Sequence, residues 1–270
     1  HLACRVKATK KFGSECQIAL SCTTSPVHTV EYYVILAKEI EALGADSICI
    51  KDMAGVLLPE TAYELITALK ANTKLPIELH SHCTGGLMEM TYLRAIQAGV
   101  DIIDTAISPL SGGTSQPCTE SINYALEGTE YDPKLNKDML NIAATKLAKV
   151  KQKYLDNKTL NPKVLSCNPN ILKYQVPGGM LSNLISQLTQ QGALERLDEV
   201  LSEVPNVRKD LGYPPLVTPL SQMVGTQAVL NVLMGERYKM VAKEIKEYLH
   251  GRYGKYPSPV DEEIKKKIIG

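Results

Sequence analysis

Tryptophan is absent from this 270-residue chain, phenylalanine occurs once, and no two cysteines are spaced Cys-x-x-Cys. Each absence removes a class of function. With 13 tyrosines as nearly the whole aromatic complement, the stacking platforms needed to bind single-stranded nucleic acid are poorly supplied. Lys plus Arg is 30 against 29 for Asp plus Glu, so no overall field recruits nucleic acid or an anionic membrane. The seven cysteines are scattered at 4, 16, 22, 49, 83, 118 and 167, an odd count with several inside apolar runs. That pattern points to reduced thiols in a cytoplasmic setting rather than a disulfide framework. No apolar run approaches the roughly 18 residues that span a bilayer, and no signal peptide opens the chain. Membrane association is expected only through a partner, peripheral to a membrane complex. An initiator Met is also missing, and residues 1–11 read as the last turns of a helix, so the chain is expected to begin inside a domain.

What is present is ordinary for a soluble globular protein, 44% hydrophobic and 22% charged. Two stretches stand out, Ser47-Ile48-Cys49-Ile50-Lys51-Asp52 and Ile77-Glu78-Leu79-His80-Ser81-His82-Cys83. Each reads as a short strand running from apolar residues into a reactive or metal-seeking one. Side chains alternate along a strand, so His80 and His82 project from one face, where two imidazoles can hold a divalent ion. Partly buried histidines satisfied by backbone carbonyls are the plainer alternative.

The rest of the first half repeats a strand–helix rhythm. Strands are expected at 16–22, 47–51, 77–82 and 101–106, with helices at about 29–43, 59–71, 86–98 and 117–127. Four such units imply a parallel sheet with helical crossovers, in either a doubly wound sheet or a (β/α)8 barrel. Lys51, His80 and the Ser/Gly loop after Ala106 fall at the C-terminal ends of their strands, the rim where both architectures bind ligands. Beyond about 136 the pattern turns helical. An amphipathic helix is expected over 139–155 with Leu140, Ile142, Ala143, Leu147 and Val150 on its buried side. Others follow at about 180–192, 194–203, 219–233 and 237–250, broken by Pro205, Pro214-Pro215 and Gly235. The 261–267 tail reads as a solvated charge run.

Several side chains are candidates for chemistry. A lysine ending an apolar strand usually snorkels or pairs, but one facing a barrel interior is partly desolvated and keeps some neutral amine at pH 7. A neutral amine can add carbon dioxide and become an anionic carbamate ligand for a metal. Thr218, between Val217 and Pro219, is held extended; it is expected to cap the following helix, or to relay a proton. Pro177-Gly178-Gly179 permits close backbone approach. Residues 111–116, Ser-Gly-Gly-Thr-Ser-Gln, look like an anion-binding loop at a helix start.

Taken together, Ser25-Pro26-Val27-His28-Thr29, Ile50-Lys51-Asp52-Met53-Ala54-Gly55, His80-Ser81-His82, Val176-Pro177-Gly178-Gly179, Val217-Thr218-Pro219, Gly225-Thr226-Gln227-Ala228-Val229-Leu230-Asn231 and Gly235-Glu236-Arg237-Tyr238 resemble the carboxyltransferase component of biotin-dependent enzymes. The likeness is greatest to the α subunit of oxaloacetate decarboxylase, with pyruvate carboxylase and transcarboxylase near it. The resemblance implies an α/β fold, a (β/α)8 barrel followed by a helical funnel. It implies that Lys51 is a carboxylated metal ligand beside His80 and His82. It further implies that the Thr218 hydroxyl moves a proton between biotin and the pyruvate enol, with Ser221 and Gln222 at the biotin pocket. The reaction implied passes a carboxyl group between biotin and pyruvate/oxaloacetate. The divalent metal is expected to be zinc, with manganese or cobalt tolerated, and biotin is expected on a separate carrier domain or subunit.

Two departures shape the domain picture. The family carries a metal-binding aspartate on its first barrel strand, within Arg-Asp-x-His-Gln, and neither that stretch nor a biotinyl Met-Lys-Met occurs here. Residues 1–130 are therefore expected to be the second half of a barrel and 131–270 the helical funnel. The N-terminal barrel half would lie on another chain or be lost from this one, and the assembly would be a homo-oligomer. Met180 after the glycine pair favours the decarboxylase branch, whereas the 111–117 loop leans toward pyruvate carboxylase. Two other readings compete: an aldol-type metal lyase or synthase, and a non-catalytic assembly module.

Overall fold

The computed structural model describes residues 2–160, 162–174 and 176–270. They form two compact units, His1–Cys22 with Thr29–Pro169, and Thr23–His28 with Asn170–Gly270.

The first unit runs α1 (Leu2–Lys11), β1 (Gln17–Ser21), α2 (Val30–Ala42), β2 (Ser47–Asp52), α3 (Pro59–Asn72), β3 (Ile77–Ser81), α4 (Met88–Gln97), β4 (Ile102–Ile103), α5 (Thr119–Leu126) and α6 (Lys137–Asp156). Local sequence sets several boundaries. The Thr29 side chain accepts from the Tyr32 N–H to cap α2, and Pro59 starts α3, where its missing N–H has no intrahelical role. The strands form one parallel sheet in the order β1-β2-β3-β4. Ile48, Ile50, Ile77 and Leu79 are fully buried and share a core with Ile40 of α2, Leu65, Ile66 and Leu69 of α3, and Tyr92 of α4. Burying each such aliphatic side chain contributes about 1.5–3 kcal/mol, and this sets the register, because a one-residue slip would turn the set to the other face.

Helices α2 to α4 therefore pack on a single face of the sheet, whereas a doubly wound sheet carries helices on both. The opposite face presents polar groups: Gln17 Nε2 donates to Glu78 Oε2 at 2.8 Å, and Lys51 and His80 are register partners. The expected fourth strand is shorter than 101–106. Only Ile102–Ile103 pairs with β3, followed by an isolated bridge between Ala106 and Cys118. Among the described residues β4 is paired on one side only, so nothing propagates its ladder. Helix α6 forms as expected, but none of its residues is fully buried, and Ile142 and Val150, assigned above to its inner face, are exposed.

The second unit contains α7 (Asn170–Tyr174), α8 (Gly178–Gln190), α9 (Leu197–Asp210), α10 (Leu220–Met234), α11 (Lys243–Leu249) and α12 (Glu262–Ile269). Leu184 and Leu188 of α8, Val200 and Val204 of α9, and Val224 and Ala228 of α10 form its core. Pro205 does not break α9, which continues to Asp210. A proline removes one helical hydrogen bond and crowds the turn before it, and burial of Val200, Val204 and Val207 on that helix offsets the loss. The helix expected from 237 begins only at Lys243, because the Tyr238 N–H is bonded to Asn231 Oδ1 at 2.8 Å and Tyr238 adopts φ 58°. The charged tail is helical rather than irregular, capped by Asp261, whose side chain accepts from the N–H groups of Glu263 and Ile264.

Candidate functional site

The site is built where β2 and β3 end. Asp52 pairs with Ser81 and Lys51 with His80 across the two strands, so Lys51, His80 and His82 share the helix-free face. His82 lies one residue past β3, still extended at φ −117° and ψ 142°, which preserves the alternation. Lys51 is half-buried, and its amine makes no hydrogen bond or ion pair with any described residue.

The two imidazoles face each other. His80 Nε2 and His82 Nε2 are 3.2 Å apart, with ring centroids 5.0 Å apart and planes at 73°. Their other nitrogens are committed. His80 Nδ1 is 2.6 Å from Asp104 Oδ2, and His82 Nδ1 is 2.7 Å from the Thr114 carbonyl oxygen. A carbonyl only accepts and a carboxylate does so in its ionised form, so both Nδ1 atoms carry their protons. On neutral rings both Nε2 atoms then present lone pairs to the same point, an arrangement able to hold a cation between them. Two nitrogens bound at about 2.0–2.1 Å to one zinc ion at a near-tetrahedral angle sit about 3.3–3.4 Å apart, close to the 3.2 Å observed. The pairing of a ligand histidine with a carboxylate or carbonyl on its far nitrogen is the usual outer support of a metal site.

The two histidines do not complete a ligand set alone. Among the described residues no group of three or more His, Cys, Asp or Glu side chains is arranged to hold a metal; what they offer is the two imidazoles, with Lys51 on the neighbouring strand. Two cysteines lie near the ends of these strands, Cys49 on β2 and Cys83 after β3. Burial, reinforced by Glu89, pushes the Cys83 thiol up to about 12, and burial with Glu78 does the same to Cys49, also about 12. Both are neutral thiols at physiological pH.

The Ser/Gly loop at 111–116 does something other than expected. It turns a carbonyl, not N–H groups, toward the site, and Ser115 O accepts from the Cys83 N–H at 2.8 Å. It therefore braces the residue pair His82–Cys83 instead of binding an anion. Asp104 was missed by sequence reasoning. Its signal lies in the register: Glu78 pairs with Ile102, so two residues further on, Asp104 comes to the face that carries His80.

Thr218, Ser221 and Gln222 belong to the second unit. Thr218 is exposed and its hydroxyl bonds to no described residue; the N-cap of α10 is Pro219, with no side-chain capping bond, so the expected cap is not made. Ser221 is buried in the first turn of α10 and Gln222 is exposed beside it. Gly179 has nothing within 4 Å of the place a Cβ would occupy, so its glycine is not explained by close packing.

Residues 2–146 match the HMGL-like family, and residues 171–270 match the conserved carboxylase domain. Among curated proteins, the chain is 55% identical over 264 residues to a pyruvate carboxylase subunit of Methanocaldococcus jannaschii, covering 98% of this chain and 46% of that protein. It is 46% identical over 270 residues to the methylmalonyl-CoA carboxyltransferase 5S subunit of Propionibacterium freudenreichii subsp. shermanii, covering 98% of this chain and 52% of the relative. The chain thus spans about half the length of these relatives. Among solved structures, the carboxyl transferase domain of Rhizobium etli pyruvate carboxylase with pyruvate and biocytin superposes with a TM-score of 0.88 at 31% identity, covering 99% of this chain and 47% of that one.

Proposed function

Since the chain belongs to the HMGL-like family, and with its conserved carboxylase domain to the carboxyltransferases of biotin-dependent enzymes, we propose that it contributes the metal-binding half of a pyruvate-carboxylating site. The facing Nε2 atoms of His80 and His82, 3.2 Å apart, carry the proposal. In this reading a carboxyl group leaves N1 of carboxybiotin and bonds to the methyl carbon of pyruvate, giving oxaloacetate; the methyl proton passes to N1.

The sheet supports the reading of the first unit as half of a (β/α)8 barrel and the helices of the second that of a funnel; residues 131–169, given to the funnel on sequence, cluster with the sheet instead. Its strands run in chain order, and α2 to α4 cover one face and leave a polar one. The remaining strands, with the aspartate of the metal set, come from the N-terminal barrel half. A divalent metal, zinc by preference given two imidazoles and oxygen ligands, supplies Lewis-acid polarisation of the keto acid when bound. His80 and His82 hold it, oriented by Asp104 and the Thr114 carbonyl. Lys51, beside His80 and without a competing partner among the described residues, is the residue we assign as the carboxylated third ligand. The exposed Thr218 hydroxyl carries the proton between the pyruvate methyl carbon and biotin N1, and Ser221 and Gln222 line the biotin pocket. The biotin itself arrives on a carrier domain or subunit, and the assembly is a homo-oligomer.

The oxaloacetate decarboxylase branch, placed first on sequence, gives way here to pyruvate carboxylation, because the 55% identical relative is a pyruvate carboxylase subunit. The test is oxaloacetate decarboxylation by the full protein with and without free biotin, read as pyruvate through a coupled dehydrogenase. Biotin is expected to stimulate turnover, and His80→Ala, Lys51→Gln and Thr218→Ala each to abolish the stimulated part. Turnover indifferent to biotin and to Lys51→Gln would indicate an aldol-type lyase instead.

A further inference from the structure

Behind the ligand face, on the side covered by helices, lies a carboxylate that the reaction does not use. Asp52 is fully buried. Its Oδ1 accepts from the N–H groups of Gly55 at 3.0 Å and Val56 at 3.2 Å. Its Oδ2 accepts from the Leu57 N–H at 2.9 Å and from the Ser81 hydroxyl at 2.8 Å. Asp52 follows Lys51 in sequence, and Ser81 sits between His80 and His82. One carboxylate thus holds the loop that leaves the lysine strand and the residue that separates the two histidines.

A second contact closes the arrangement. Gly55 has φ 69°, and a Cβ on it would overlap the carbonyl oxygen of His82, with the His82 carbonyl carbon at 3.2 Å and the Thr84 nitrogen at 3.3 Å. The loop pinned by Asp52 is therefore pressed against the backbone that aims the second imidazole. The glycine is required both by its left-handed backbone and by this approach.

We propose that Asp52 is a positioning residue, a clamp that sets the end of β2 against the end of β3 before any metal binds, with Gly55 as its contact point on His82. The proposal rests on the metal reading above for what the clamp is for, and on these hydrogen bonds for the clamp itself. Charge-assisted bonds from buried backbone N–H groups are strong enough to hold such a loop, and pre-set ligands are what a tight metal site needs.

The chemistry of substitution makes the test specific. In Asp52→Asn the amide NH2 has to replace one oxygen. At the Oδ1 position it would face two N–H donors; at Oδ2 it faces one, since the Ser81 hydroxyl can rotate to accept. Asp52→Asn is then expected to lose at least the Leu57 bond, and Ser81→Ala to cut the link to β3 together with the Ser81 hydroxyl's contact with Met88 Sδ at 2.6 Å, leaving the three backbone bonds of the loop in place. Ile66→Val, which thins the core cluster that also holds Leu57 but removes none of these hydrogen bonds, serves as the stability control.

Hydrogen–deuterium exchange on the metal-free full protein reads the clamp directly. In Asp52→Asn, residues 53–57 and 80–83 are expected to exchange together, at least ten-fold faster than in the parent. Ser81→Ala is expected to speed 80–83, and Ile66→Val to leave both segments as they were. Acceleration confined to 53–57 in Asp52→Asn together with unchanged 80–83 in Ser81→Ala overturns the proposal, as does equal acceleration in Ile66→Val; should Asp52→Asn fail to fold, Ser81→Ala alone decides. Cobalt(II) titration of the same proteins supplies the separate readout. Affinity is expected to fall ten-fold or more in Asp52→Asn, in line with losses of outer-shell support, and to vanish in His80→Ala. A parent protein that takes up no cobalt refutes the metal reading, while the exchange data still judge the clamp.

Discussion

Removing the Asp104 carboxylate should weaken metal binding by an amount that can be worked out from its one close contact. Asp104 Oδ2 lies 2.6 Å from His80 Nδ1, and its side chain is 40% exposed. A hydrogen bond to a charged group contributes about 1.5–3 kcal/mol, and this exposure places the present one at the lower end. Asp104→Ala deletes that interaction and also the only described group that fixes the His80 tautomer, leaving the proton free to move to Nε2 and block the ligand. A loss of about 1.5 kcal/mol is about ten-fold in affinity, and tautomer freedom carries it toward the hundred-fold end of what outer-shell changes produce. His82 should be unaffected, because its partner is a backbone carbonyl. The assay is competition for zinc between the full protein and a chromophoric chelator, beside thermal unfolding of the metal-free protein. Undiminished zinc affinity in a folded Asp104→Ala protein would falsify the two-histidine site as drawn.

Three further outcomes follow from other parts of the molecule. Burial, with the Arg208 guanidinium nearby, pulls His28 down from 6.5 to about 4, so the folded state resists protonation where the unfolded state does not. Its contribution to stability is then full above about pH 6.5 and is lost progressively as the pH falls toward 4; urea midpoints across that range should drop less in His28→Gln than in the parent. At Gly212 a Cβ would overlap the Ser258 carbonyl oxygen, and φ is 74°, so Gly212→Ala should destabilise the second unit by more than about 2 kcal/mol in chemical denaturation. Arg208 donates to the Pro214 and Thr24 carbonyl oxygens and to Thr23 Oγ1 at 3.0, 2.7 and 2.7 Å. Lysine cannot fork in this way, and Arg208→Lys should lower the unfolding temperature by several degrees.

Much of this was legible in the chain because it rests on period and punctuation. The two-residue period of Ile48, Ile50, Ile77 and Leu79, with caps such as Thr29 and Pro59, fixed the strands, their order of appearance and the common face of His80 and His82. What escaped depends on neighbours far along the chain. Asp104 is one acid among several until the β3–β4 register aligns it with His80. Asp52 faces away from Lys51 by strand alternation alone, but the four hydrogen bonds its carboxylate makes there depend on a loop and a strand the sequence does not bring together. The Ser/Gly loop looks anion-binding because composition does not say whether carbonyls or N–H groups face inward. Pro205 misled for a related reason: tertiary burial overrides local propensity.

The facing Nε2 pair has a practical corollary at the bench. In the proposed metal site, two imidazoles whose Nε2 atoms lie 3.2 Å apart offer a chelate to whichever divalent ion is abundant, and nickel and copper outrank zinc in intrinsic affinity for nitrogen donors. Under the proposed function, material eluted from a nickel column would carry the column's metal between His80 and His82. The proposed preference for zinc is therefore to be tested on protein stripped with a chelator and reloaded under controlled conditions.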